Sequence, residues 1–209
     1  MRTLTSVLAW LLFLTVPAGC VDDVAGHYVL QGVREVGSEL LLKPDGTFEF
    51  MLAYGAADYW AKGAWRREGS AVILQSSGKP GEPFRLLRSE PGKAGRIRIW
   101  VLGLNERGVP NIKVRLKAGD QQLDATTDSD GAAVFPDLPN ATAVGFEVRV
   151  YQIEAGPFAI NPKLKDFYFE INGDAIQQVL FDNERLTIDG NSLLMTHWKE
   201  GPPMRYQRE

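Results

Sequence analysis

ELLLKPDGTFEFMLAYGAADYWAKGAWRREGSAVIL, residues 39–74, reads as consecutive β-strands with a turn signal at every break. Leu40 to Leu42 run into Pro44-Asp45-Gly46, where proline presets one turn dihedral and glycine accepts the positive φ that side chains resist. The return run sets Phe48, Phe50 and Leu52 against Thr47, Glu49 and Met51. This period of two puts large apolar groups on one face and leaves the other partly wet. After Tyr54-Gly55 a third run holds Tyr59, Trp60, Gly63 and Trp65, and Glu68-Gly69-Ser70 turns it into Ala71 to Leu74. An open meander of this kind exposes two edges, so more strands and closure are expected.

Working outward, Gly26 to Val33 alternates as an earlier strand. Phe84 to Leu87 reads as a strand after the loop Ser76 to Pro83, and Ser89 to Gly95 is rich in Gly and Pro and reads as a linker. Beyond it Ile97–Val101 and Ile112–Leu116 are strands, and Asp124 to Phe135 reads as a hairpin. Val144 to Tyr151 follows, with Phe146, Val148 and Val150 on one face. After Gly156-Pro157 come Asp166–Ile171, Val179–Phe181, Glu184–Ile188, Leu193–Met195 and a last strand around Tyr206. These have the texture of the first region and are expected to complete its sheet, with the last strand paired to the first.

The N-terminus has the layout of a secretory signal: basic Arg2, an apolar run from Val7 to Val16, then Pro17-Ala18-Gly19-Cys20. The run is too short to span a bilayer, which takes about 20 residues. Cys20 is the only cysteine, so no disulfide can form within the chain. Ala18-Gly19-Cys20 resembles the lipobox of bacterial lipoproteins, whose cysteine becomes the lipidated first residue, although Pro17 stands where that family prefers leucine. Cleavage after Val16-Pro17-Ala18 by the ordinary signal peptidase would instead leave an unlipidated secreted protein. Either way the chain is expected to be exported. The resemblance implies a cell-envelope address, at the outer membrane facing periplasm or surface, with a membrane partner through a lipid anchor at Cys20. The alternative is a soluble periplasmic or secreted protein.

With 23 Lys and Arg against 26 Asp and Glu the net charge is −3, and no basic stripe points to nucleic acid. Gly108-Val109-Pro110, Thr127-Asp128-Ser129-Asp130-Gly131 and Phe135 together resemble the carboxypeptidase regulatory-like, or transthyretin-like, β-sandwich modules of exported proteins. That resemblance implies a structural or binding unit, not a chemistry. The fold expected is therefore all-β: an antiparallel, lipocalin-like barrel or curved sheet with an inserted transthyretin-like β-sandwich. The divisions are a signal peptide over 1–19, the barrel over 20–92 plus 157–209, and the insert over 93–156. Gly63-x-Trp65 is similar to the lipocalin Gly-x-Trp signature but lies on a different strand.

No catalytic, cofactor or metal site is expected. His27 and His197 stand apart in sequence and become neighbours only if the barrel closes through their strands. Asp128, Asp130 and Gly131 look like the start of a calcium loop, yet the distal glutamate is missing, and turn-forming aspartates explain them. The aromatics Phe48, Phe50, Tyr54, Tyr59, Trp60 and Trp65 either fill the barrel or line an apolar site. Tyr54, Tyr59 and Trp60, which flank Gly55–Asp58, are the candidate ligand-lining residues. Two functional readings follow: a non-catalytic envelope protein with a structural role or a binding partner, and a lipocalin-like carrier of a small apolar ligand.

Overall fold

The computed structural model describes residues 24–197 and 202–209; the signal segment 1–19 and Cys20 lie outside the described residues. The chain opens with β1 (Gly26–Gln31), β2 (Val36–Leu42), β3 (Thr47–Tyr54), β4 (Ala57–Glu68) and β5 (Ala71–Ser76). It then makes β6 (Phe84–Glu90), β7 (Arg96–Leu102), β8 (Lys113–Ala118), β9 (Gln121–Thr126), β10 (Ala132–Pro136), β11 (Ala141–Val148), β12 (Ile153–Ala159) and β13 (Asp166–Ile171). A short helix α1 (Gly173–Gln177) leads back to β14 (Glu184–Asp189), β15 (Ser192–Met195) and β16 (Met204–Arg208).

Eight of these strands close an antiparallel barrel in the order β1, β16, β15, β14, β5, β4, β3, β2. The last strand seals the first, with Tyr28 opposite Arg208 and Leu30 opposite Tyr206, as the need to remove two open edges predicts. Period-two alternation sorts the walls. Phe48, Phe50 and Leu52 of β3 and Ala57, Ala61 and Trp65 of β4 point inward and are buried, while Glu49, Met51, Asp58 and Lys62 face out.

The interior is solid. Leu40, Leu42, Val72, Leu74, Leu186, Leu193 and Tyr206 pack with Phe48 and Phe50 into one buried cluster. Polar groups inside it are paired, as a low-dielectric interior requires. The Tyr206 hydroxyl lies 2.8 Å from Ser38 Oγ, which also donates to the Met51 carbonyl at 2.7 Å. Burial pushes the Tyr206 phenol up to about 12. The Trp65 indole donates to the Lys43 carbonyl at 2.8 Å.

Between β5 and β14, neighbours in the barrel, the chain builds two four-stranded sheets, β10-β7-β13-β6 and β12-β11-β8-β9. Their facing sides share a second core in which Phe84 stacks on Phe146 at 4.2 Å and Phe169 meets Phe146 edge-on at 4.8 Å. On the outer side of the first sheet Trp100 and Tyr168 stack at 5.8 Å and Arg88 covers Tyr168 at 3.8 Å.

Several strands behave differently from the sequence reading. Phe84–Glu90 and Asp166–Ile171 were expected in the barrel sheet; they pair with each other, and β13 runs parallel to β7 in the sandwich. Alternation fixes which face a side chain takes and says nothing of which neighbour a strand will choose. Asp124 to Phe135 is not a hairpin, because β9 joins one sheet and β10 the other. The turn between them is locked by Asp128 Oδ1, which accepts from the Asp130 and Ala132 amides at 3.0 and 2.9 Å. Gly131, at φ +80°, sits where a Cβ would fall 2.4 Å from the Val101 carbonyl oxygen. A Cβ on Gly108 would likewise strike the Asp130 carbonyl at 2.0 Å. Thr127 completes the knot: its Oγ1 donates to the Val109 carbonyl at 2.8 Å and accepts from the Ile112 amide at 2.9 Å. The two motifs picked out in sequence are thus two halves of one contact.

The run Val144 to Tyr151 stops as a strand at Val148, and Arg149–Tyr151 forms one turn of 3-10 helix ended by Gln152 at φ 53°. Val179–Phe181 is not a strand either; it is the return segment into the barrel.

Candidate functional site

Antiparallel register divides the barrel into two ends. Val24, the turns at 43–46, 69–70 and 190–191, and Glu209 lie at one end. At the other lie the 32–35 and 55–56 turns and both connections to the sandwich. Those connections are close together: the Ser77 amide donates to the Lys62 carbonyl at 2.9 Å and the Val179 amide to the Trp60 carbonyl at 2.8 Å, two residues apart on β4.

Phe181 plugs this second end. Its backbone brackets Ser76, with the Ser76 amide donating to its carbonyl at 2.8 Å and its own amide donating to Ser76 Oγ at 2.9 Å. Its ring is buried 5.1 Å from Phe50, 5.9 Å from Phe48 and 5.0 Å from the His197 ring.

The three candidate aromatics separate at this end. Tyr54 closes β3 beside the turn and is 59 % exposed. Tyr59 shares the inward phase of β4 at the rim, where its ring meets Tyr151 edge-on at 5.5 Å and burial raises its phenol pKa. Trp60 has the opposite phase and lies on the outer wall, across from Met51, with Lys62 Nζ 5.6 Å from its ring. Phe48, Phe50 and Trp65, from the same aromatic group, are core.

Tyr151 is the residue that sequence reasoning missed. Its hydroxyl accepts from the Asp58 amide at 3.5 Å and from Gln177 Nε2 at 3.1 Å, tying the sandwich to the β3–β4 turn and to α1. The alternation of Phe146, Val148 and Val150 gave no sign of it, because the pattern runs on through Val150 while the strand ends at Val148. The helix is positioned in turn by Asn172, whose side chain accepts from the Ala175 amide at 3.3 Å.

No family model, curated protein or solved structure matches the chain.

Two depressions mark the surface around the barrel. A trough of about 570 Å³ runs along the outer wall over Leu41, Met51 and Trp60, edged by His27, Glu39 and Lys62. A cleft of about 550 Å³ lies between the barrel turn at Ala56, the sandwich and α1. The histidines occupy opposite ends of the barrel. His27 bridges Glu39 at 3.1 Å and Glu209 at 2.9 Å, and the Glu39 carboxylate first among these raises its pKa. His197 bonds Glu184 at 2.9 Å.

Proposed function

We infer that this chain is an exported cell-envelope lipoprotein with a non-catalytic binding or structural role. In this reading the barrel is a packed stand, similar in architecture to lipocalins. The sandwich, whose Gly108/Asp128–Gly131 knot resembles transthyretin-like modules, is the part offered to partners. The observation that carries the reading is one of direction. Val24 follows the lipobox-like cysteine by four positions and sits at the barrel end opposite both connections to the sandwich. An anchor at Cys20 would hold the barrel against the membrane and aim the sandwich away from it. The second reading, a carrier holding an apolar ligand inside the barrel, has the tightly filled interior of Phe48, Phe50, Phe181 and Tyr206 weighing against it.

The anchor has a direct test. A lipoprotein's several acyl chains hold it stably, where a single chain would bind only marginally. In cell fractionation the wild type should pellet with membranes and resist carbonate and salt, and Cys20→Ser should move it to the soluble fraction. A wild-type protein already soluble would sink the lipoprotein reading and leave plain secretion.

A further inference from the structure

We propose that the cleft between the barrel and the sandwich is a binding site for a single-chain amphiphile with an acidic head group. The cleft does not depend on the anchor or on export. It is made where three separately placed pieces converge: the β3–β4 turn at Ala56, the β7–β8 loop with the 3-10 turn, and helix α1. Its floor is apolar, built from Val109, Ile112, Val148, Ile171 and Ile176. About 550 Å³ falls in the range of small-molecule sites and is too little for a folded partner. Val150 stands at this cleft 51 % exposed, an apolar side chain that a bound alkyl chain would cover.

The head group is set by the rim. Lys113 and Arg149 are the charged side chains that line the cleft. The carboxylate beside them, Glu147, is shared among Lys113 at 3.2 Å, Arg115 at 2.6 Å and Arg149 at 3.4 Å, so its charge is already covered. Lys113 and Arg115 have further partners in Asp124 and Glu154, at 3.1 and 2.9 Å. Arg149 is 69 % exposed and held by the longest contact of the group. An exposed pair of that length contributes little, so the guanidinium can turn to a ligand carboxylate and meet it with two parallel hydrogen bonds. Tyr151 and Gln177 are engaged with each other and with the barrel, and they fix the wall rather than the head group.

Calorimetric titration of dodecanoate and of dodecanol into the full chain carrying Cys20→Ser, which has no acyl group of its own to compete, tests this. Both ligands should bind one per chain. Ala56→Trp, which fills the mouth from an exposed turn, should weaken both by at least about tenfold. If that variant does not fold, Val150→Gln should weaken both several-fold without touching the core. Arg149→Gln should weaken dodecanoate by roughly two- to fivefold and leave dodecanol unchanged. No saturable binding of either ligand would overturn the proposal. So would binding that ignores Ala56→Trp and Val150→Gln but is lost in Trp60→Ala, which would locate it in the outer-wall trough. An equal response of acid and alcohol to Arg149→Gln would overturn the acidic head group.

Discussion

Removing Pro203 to Glu209 should leave the barrel unfolded at room temperature. These seven residues include the whole of β16, which pairs with β1 on one side and β15 on the other. Their loss opens both ladders at once. It also deletes Tyr206, which is fully buried and hydrogen-bonded to Ser38. Emptying a core site of a large aromatic costs about 3–5 kcal/mol by itself, and a domain of this kind is stable by only about 5–15 kcal/mol. The lost ladder bonds come on top of that cost. Circular dichroism and urea titration of the truncated chain check it. A truncated protein that keeps a cooperative transition near the wild-type midpoint would mean that β16 is not the closing strand.

Phe181→Ala should destabilise the protein by about 3–5 kcal/mol, the cost of emptying a core site of a large aromatic. The ring is 1 % exposed and fills the end of the barrel against Phe48, Phe50 and His197. Backbone bonds to Ser76 hold the segment in place, so the cavity left by alanine cannot readily collapse. Urea unfolding measures the loss. A change below about 0.5 kcal/mol, the size of an ordinary surface substitution, would show that the end is open and Phe181 a lid without weight.

The contrast between Phe181 and the first barrel strands shows what could be read in advance. From Leu40 to Leu74 every inward residue lies in the phase that its alternation announces, and each turn has its Gly or Pro. The outward position of Trp60 was legible there too, since Ala57, Tyr59, Ala61 and Trp65 share the other phase. Closure of β16 on β1 followed from the cost of bare edges. Phe181 was not legible: Val-Leu-Phe has the local character of a strand, and only the tertiary packing makes it a plug. Nor could the sheet membership of Phe84–Glu90 and Asp166–Ile171 be read. Their side chains would suit either core, and the choice rests on β7, whose pairing with β13 spans more than sixty positions. The cleft was hidden for the same reason, because Ala56, Arg149, Val150 and Ile176 meet only after both sheets are in place. Tyr54 and Tyr59 lie at the sandwich-facing end of the barrel but do not line the cleft, and the residue that joins that end to the sandwich is Tyr151.

The topology predicts a self-sufficient barrel that carries the sandwich as an insertion between β5 and β14. Ser77 and Val179 bond to carbonyls only two residues apart on β4, so the ends of the insertion are near neighbours and a short linker can join them. Replacing Gly78 to Gln178 with a few Gly and Ser residues keeps Val179 to Phe181 and every barrel strand. Equilibrium unfolding of that shortened chain, followed by tryptophan fluorescence and by circular dichroism, measures this. A single cooperative transition with coincident probes is the predicted result. A chain that is unfolded, or that melts without cooperativity, would contradict it and make barrel and sandwich one inseparable fold.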